Sequence, residues 1–164
     1  MSSLARGLDR LLAAAIGTLL ALMLINVTWQ IFTRYVLADP PVWTEEIARY
    51  LFVWQIFLGA GLAFGRGAHI VVDVLARALP PVGRRALALV NHALVLALLA
   101  FLVWRGSGMA AITADTYATG SGLNMGVVYA ALPVGAAIGC LYVVLDMVAI
   151  LRGADPLREP EVGV

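Results

Sequence analysis

Histidine and carboxylate side chains are the first candidates for chemistry in this sequence. His69, Asp73 and Arg77 recur every four residues, so a helix would carry them on one face. His69 and Asp73 could act as two metal ligands, although two ligands do not complete a site; the alternative is a polar stripe in which Asp73 pairs with Arg77. Because prolines end the stretch at Pro80, we predict a short interfacial amphipathic helix at about 68–79 with these three residues on its polar face.

The other histidine, His92, lies near the start of a long apolar run. It could in principle bind haem, but membrane haem proteins usually take further axial ligands from facing helices, and no second histidine lies in an apolar run. The alternative is a contact with lipid headgroups. No catalytic set emerges, so we expect no enzyme activity, no cofactor and no metal site.

The most distinctive polar segment is Trp43-Thr44-Glu45-Glu46, which follows two prolines. Prolines suit the beginning of a helix, acidic residues in a first turn complement the helix macrodipole, and Trp43 suits the headgroup belt. Glu45 and Glu46 lie four and three residues before Arg49, so each could pair with it. The segment is either a well-made helix start at a membrane interface or a contact with another subunit.

Small and uncharged polar residues provide candidate helix contacts, since in a membrane they allow close approach and hydrogen bonds between helices. Three small-residue rows stand out, namely Gly61 with Gly65, Gly135 with Gly139, and Ala13 with Gly17 and Ala21. The polar candidates are Asn26, Thr28, Gln30 and Gln55.

The composition indicates that these elements lie in a membrane. Of the 164 residues 62% are hydrophobic, and the mean hydropathy is +0.93, which is more apolar than a soluble domain. We predict an all-α integral membrane protein with four transmembrane helices, spanning about 11–33, 43–65, 86–105 and 127–151. They form one membrane domain over 1–152, followed by a flexible tail over 153–164. The net charge of +1 does not favour a nucleic-acid partner.

The arginines predict the orientation, because positively charged loops stay in the cytoplasm. Three arginines fall on one side of the predicted spans, at Arg34, Arg49 and Arg105. The other side has eight, at Arg6, Arg10, Arg66, Arg77, Arg84, Arg85, Arg152 and Arg158. We therefore expect both termini in the cytoplasm.

An ordered series of segments carries a family resemblance. They are Arg34-Tyr35-Val36-Leu37, Trp43 through Trp54 (WTEEIARYLFVW), Phe57-Leu58-Gly59-Ala60-Gly61, Arg66-Gly67-Ala68-His69-Ile70 with Asp73, and Tyr129 through Gly135 (YAALPVG). The series resembles the small membrane subunit, DctQ-like, of tripartite ATP-independent periplasmic (TRAP) transporters. The likeness extends over about residues 10–151.

The resemblance implies a passive subunit with three kinds of partner. A periplasmic substrate-binding protein (DctP-like) would capture an organic acid such as a C4-dicarboxylate, and a large membrane subunit (DctM-like) would carry it with sodium. The small subunit would scaffold the large one within the lipid bilayer. The absence of ionisable residues from the central thirds of the predicted spans fits this role. The subunit-interface residues expected on this view are Trp43, Glu45, Glu46, Arg49, Trp54, Gly59, Gly61 and Gly65.

Two other classes compete with that interpretation. A small multidrug-type exporter would need a membrane-embedded acid in its first span, which this sequence lacks. A haem-binding membrane anchor subunit would need paired histidines.

Overall fold

A computed structural model describes residues 3–65 and 80–154 of the chain. Within these ranges four helical segments are long and apolar enough to cross a membrane, at Gly7–Leu37, Trp43–Gly65, Val82–Ile112 and Met125–Leu151. The predicted all-α membrane fold with four spanning helices is therefore confirmed. The predicted interfacial helix at 68–79, with His69, Asp73 and Arg77, lies outside the described residues.

The first helix, α1, runs over Ser3–Phe32 and continues into a π-helical turn at Thr33–Leu37. Ala38 then adopts the left-handed conformation with φ 55°, and its backbone N–H donates to the Thr33 carbonyl. The left-handed residue closes the helix end. The second helix, α2, covers Trp43–Gly65, the same residues as its predicted span.

The third helix, α3, covers Pro81–Ile112 and is longer than its predicted span of 86–105. The prediction followed the apolar run, whereas the helix also includes Arg84 and Arg85 before that run and continues past Arg105 to Ile112. Proline at its first position is compatible with a helix start. At about 1.5 Å per residue α3 measures roughly 48 Å, more than the hydrocarbon core of about 30 Å, so one or both of its ends extend beyond the lipid chains.

The fourth span consists of two helices, α4 over Met125–Tyr129 and α5 over Ala131–Leu151. The Asn124 side chain caps α4 by accepting a 2.8 Å hydrogen bond from the Gly126 backbone. Pro133 explains the interruption, because its ring conflicts with the carbonyl four residues earlier, at Tyr129, and it offers that carbonyl no donor.

The helices do not pack in chain order. α1 packs against α2, α2 against α5, and α5 against α3, while the backbones of α1 and α3 are not adjacent within the described ranges. One core cluster joins Leu12 of α1, Leu58 and Leu62 of α2 and Tyr142 of α5. A second cluster joins Leu99 of α3 to Ala136 and Val143 of α5. The last helix thus lies between the second and the third.

Glycines form the contact between α2 and α5. A Cβ atom built on Gly135 would lie 2.3 Å from the Phe57 carbonyl oxygen, and one on Gly61 would lie 3.0 Å from the Gly135 carbonyl oxygen. A Cβ on Gly65 would lie 2.6 Å from the Tyr142 ring. These glycines, as the sequence predicts, allow the two backbones to approach closely. We call Gly61, Gly65 and Gly135 the glycine seam.

Tyr142 also reaches past the seam to α1, where its hydroxyl donates a hydrogen bond to the Asp9 carboxylate. The ring can cross α2 only because Gly65 has no side chain at that point. By contrast, the row of Ala13, Gly17 and Ala21 on α1 is exposed, and nothing lies within 4 Å of a Cβ built on Gly17.

Candidate subunit interface at the start of α2

The start of α2 is fixed by hydrogen bonds at Thr44, one of which is a buried bond to α1. Thr44 is fully buried; its hydroxyl donates to the Pro41 carbonyl at 2.7 Å, and its backbone N–H donates to the same oxygen at 3.2 Å. Asn26 of α1 donates to the Thr44 carbonyl at 2.7 Å. Asn26 therefore makes the interhelical bond that its position in the sequence predicts.

Glu45 interacts with α1 and with the turn that follows it. Its Oε1 atom lies 2.8 Å from an Arg34 nitrogen, and Gln30 donates to the same oxygen at 3.3 Å. The side chains of Arg34 and Glu45 are 49% and 57% exposed, so the ion pair is open to its surroundings and contributes little stability.

Glu46 points away from that ion pair, towards the loop that joins α3 to α4. Its carboxylate accepts hydrogen bonds from the Ser121 backbone and hydroxyl, each at 2.8 Å, and from the Gly120 backbone at 3.1 Å. Thr119 adds a longer bond at 3.4 Å. Successive backbone N–H groups that converge in this way form a site for an anion, which here is the Glu46 carboxylate. We call these contacts the Glu46 clamp.

The loop is shaped so that its donors meet at one point. The Ala118 N–H donates to Leu123 and the Met125 N–H donates to Thr116, each at 2.8 Å, so the two sides of the loop pair. Gly122 has a φ of 68°, a conformation that glycine adopts without strain. A Cβ on Gly120 would lie 3.2 Å from the Glu46 carboxyl, so the absence of a side chain lets the backbone approach the acid.

The prediction that Arg49 pairs with Glu45 or Glu46 is wrong. Arg34 and the loop take the two carboxylates, and Arg49 makes no ion pair with any described residue. Its side chain is exposed on the outer face of α2. Spacing in the sequence shows only the partners that lie on the same helix. It cannot show that α1 and the loop before α4 bring closer partners to the two carboxylates.

Of the remaining predicted interface residues, some lie at the surface of the chain and others pack within it. Trp43 is 41% exposed, and a Cβ on Gly59 would meet nothing within 4 Å. Trp54 packs against the core cluster that contains Leu58. Gly61 and Gly65 belong to the glycine seam, so they serve packing within the chain.

The other polar side chains predicted to link helices behave differently from one another. Gln30 links α1 to Glu45 as described, whereas the Thr28 hydroxyl bonds to the Leu24 carbonyl of its own helix at 2.8 Å. The Gln55 amide nitrogen is buried and has no hydrogen-bond partner among the described residues. Through that nitrogen, Gln55 therefore makes no bond between helices in the described part of the chain.

A groove of about 150 Å³ lies between the start of α2 and α4. Its walls include Ile47, Tyr50 and Trp54 on one side and Leu123 and Val127 on the other. The lining is apolar apart from the tips of Tyr50, Trp54 and Asn124, so the groove offers no ionisable pair for chemistry.

His92 is the one histidine within the described ranges, and it is buried on α3. Its Nδ1 atom lies 2.8 Å from the carbonyl oxygen of Ala88, one turn earlier. No group of three or more potential metal ligands occurs in the part of the chain that the structure describes. This contact lies within α3.

Comparison with known proteins decides the family. The sequence pattern of the family described as "Tripartite ATP-independent periplasmic transporters, DctQ component" matches residues 22–153. The chain belongs to the DctQ family. DctQ proteins are components of transporters and not enzymes, and with its four apolar spans this one is a multi-pass membrane protein.

Named relatives agree with this assignment. A Haemophilus influenzae protein described as a TRAP transporter small permease protein is 37% identical over 130 residues, which cover 79% of this DctQ chain and 80% of the relative. The sialic acid TRAP transporter small permease protein SiaQ of Vibrio cholerae is 39% identical over 71 residues, 43% of this chain and 41% of the relative. The sialic acid TRAP transporter permease protein SiaT of Haemophilus influenzae is 34% identical over 64 residues, covering 39% of this chain but 10% of that protein.

Proposed function

We propose that this small permease subunit scaffolds a large, DctM-like membrane subunit during uptake of an organic acid, driven by a cation gradient and supplied by a DctP-like periplasmic binding protein. The observation that carries the proposal is the use of the polar groups at the start of α2. Asn26, Glu45 and Glu46 each bond to another part of this same chain. A carrier needs polar groups along the route of its substrate, whereas a scaffold can use its polar groups to hold its own fold.

The relatives support the same division of labour. SiaT is a permease about ten times longer than the stretch that matches this chain, so a likeness to the small subunit occurs there within a much larger transport protein. SiaQ is named for sialic acid, which is an organic acid. We infer a carboxylate substrate of that broad class, with C4-dicarboxylates as one member.

The arginine distribution supports an inner-membrane orientation with both termini in the cytoplasm. The Glu46 clamp then faces the periplasm, on the side where a binding protein would arrive. Labelling of a cysteine that replaces Asp115, added from outside intact spheroplasts in a Cys140→Ser background, tests this orientation. A cysteine replacing Ser3 should stay unlabelled, and the reverse pattern would refute the topology.

Reconstitution into liposomes tests the function. Proteoliposomes that contain the small and large subunits, supplied with the binding protein, an organic acid and an inward sodium gradient, should accumulate the acid. Liposomes that contain only this chain should accumulate none. Uptake by this chain alone would overturn the scaffold role, and full uptake by the large subunit without it would show that no scaffold is needed.

A further inference from the structure

The groove between the start of α2 and α4 is apolar and small. Its volume of about 150 Å³ equals that of roughly five water molecules at about 30 Å³ each. A transmembrane helix is about 10 Å across, so a whole helix cannot enter a space of this size. The groove therefore fits a thin occupant, which is either a flexible chain or a single side chain.

The walls of the groove are held apart by the fold. Leu51 and Trp54 stand on α2, and Leu123 and Val127 stand opposite. The Glu46 clamp fixes the loop that carries Leu123, so this wall cannot simply close onto α2. The backbones of α2 and α5 come together further along, at the glycine seam. The groove is thus a gap that remains between the two spans near their outer ends.

Two hydrogen-bond donors that line the groove have no acceptor within residues 3–65 and 80–154. They are the Tyr50 hydroxyl and the Trp54 indole N–H. The Asn124 side chain also lines the groove, but it accepts from the Gly126 N–H and donates to the Ala114 carbonyl. A donor in apolar surroundings is costly unless an acceptor meets it. An occupant that carries an acceptor oxygen is therefore favoured over a pure hydrocarbon.

The position of Tyr50 along α2 indicates where that acceptor lies in the bilayer. Tyr50 follows Trp43, which suits the headgroup belt, by seven residues or roughly 10 Å of helix. Its side chain leans back towards the helix start, and its hydroxyl is near enough to Glu46 and Arg49 for electrostatic interaction. The headgroup region is about 5–8 Å thick on each side. The hydroxyl is thus placed where headgroups meet hydrocarbon, the depth of phospholipid ester groups.

We propose that the groove binds one acyl chain of a phospholipid, and that the ester carbonyl of this chain accepts a hydrogen bond from the Tyr50 hydroxyl. An acyl chain is thin and apolar, as the walls require, and its acceptor is joined directly to it. A leucine or phenylalanine side chain from another protein would suit the walls but brings no acceptor. This lipid site goes beyond the proposed function, because it requires no other subunit.

Photolabelling in two kinds of lipid tests the site. The wild-type chain is reconstituted in liposomes of ether-linked phosphatidylcholine, which has no ester carbonyl, or of the diester form. Both contain a small fraction of a diester phosphatidylcholine with a diazirine in one acyl chain. Labelling of Leu123 should be about fivefold higher in the ether lipid, where the probe alone can accept the hydrogen bond. Labelling of Leu98, an exposed residue of α3, should be equal in both.

Two variants separate the hydrogen bond from the shape of the groove. Tyr50→Phe removes only the hydroxyl, so Leu123 should be labelled equally in the two lipids. Val127→Phe narrows the groove and should lower the labelling of Leu123 about tenfold in either lipid. Val90→Phe is the matched control, because Val90 and Val127 are both 57% exposed and Val90 lies on α3, outside the groove. It should change the labelling less than about twofold.

Three results would overturn the proposal. They are equal labelling of Leu123 in the two lipids by the wild type, a difference between the lipids that persists in Tyr50→Phe, and loss of the label when the large subunit is added. The last result would assign the groove to a side chain of that subunit. The comparison of the two lipids uses the wild-type chain, so it decides even where a variant fails to insert. No readout involves transport, so the proposed function stands or fails separately.

Discussion

In its middle, α2 meets the backbone of α5 at glycines, and at its far end Gly65 leaves room for the Tyr142 ring, whereas at its first turn α2 meets the rest of the chain mainly through charged side chains. In the glycine seam, the Phe57 carbonyl oxygen lies 2.3 Å from the point where a Gly135 Cβ would be. The Glu46 clamp instead joins a flexible side chain to a loop. Two packed backbones cannot make room for an added atom without moving apart. A side chain can change its rotamer, and water can then bind the groups that it leaves.

The glycine seam and the Glu46 clamp therefore determine different properties of the molecule. The seam determines how far apart the helix axes lie, so it determines the fold. The clamp determines the shape of one loop, so it determines a surface. Substitutions in the two regions should differ both in size and in where their effect appears.

Gly135→Ala should have the largest effect. Its Cβ would lie 2.3 Å from the Phe57 carbonyl oxygen, so α2 and α5 must separate, which should lower the unfolding free energy by about 2–3 kcal/mol. Unfolding of the purified chain in mixed micelles would measure this. Gly17→Ala is the control, because a Cβ there meets nothing within 4 Å and alanine favours helix. Equal stability of the two variants would show that the seam is not a rigid contact.

Glu46→Gln should have a smaller, local effect. Glutamine keeps one acceptor oxygen and loses the negative charge, so the loop donors lose most of their partner. The backbone amides of Gly120 and Ser121 should exchange with solvent deuterium several-fold faster, while those in the middle of α5 keep their wild-type rates. Glu45→Gln, which leaves the clamp intact, should not change the loop. Accelerated exchange throughout α5 would mean that the clamp supports the fold as well as the loop.

Arg34→Gln should have the smallest effect. The ion pair with Glu45 is 2.8 Å long but about half exposed, and such pairs contribute at most about 1 kcal/mol. The same unfolding measurement should show a change within that limit, and added salt should reduce it further. A loss as large as that of Gly135→Ala would place Arg34 among the groups that determine the fold.

The sequence was sufficient for features that follow from composition and spacing. The four spans follow from apolar runs, and the Gly61–Gly65 and Gly135–Gly139 spacings predict helix faces that another helix can approach closely, without showing which helices meet. The partners of Glu46 could not be derived in this way. Gly120 and Ser121 lie more than seventy residues away, and nothing local shows which acid their N–H groups will meet.

Arg49 is a second residue whose contacts could not be derived from the sequence. Its spacing from Glu45 and Glu46 predicts a local ion pair, and that prediction failed because Arg34 and the loop are closer partners for those acids. The order of the helices in space was likewise not accessible, since all four spans are similarly apolar and the small-residue row of α1 is as regular as the one used in the seam.

The position of α5 between α2 and α3 has a consequence for how the chain is made. α1 and α2 are neighbours in sequence and in space, so they can pair as soon as both have entered the membrane. The helices that α3 packs against, α4 and α5, come after it in the chain. A nascent chain that ends before Met125 therefore lacks both helices that α3 contacts within the described residues, so we expect the third span to reach its native place only when the last one has been synthesised.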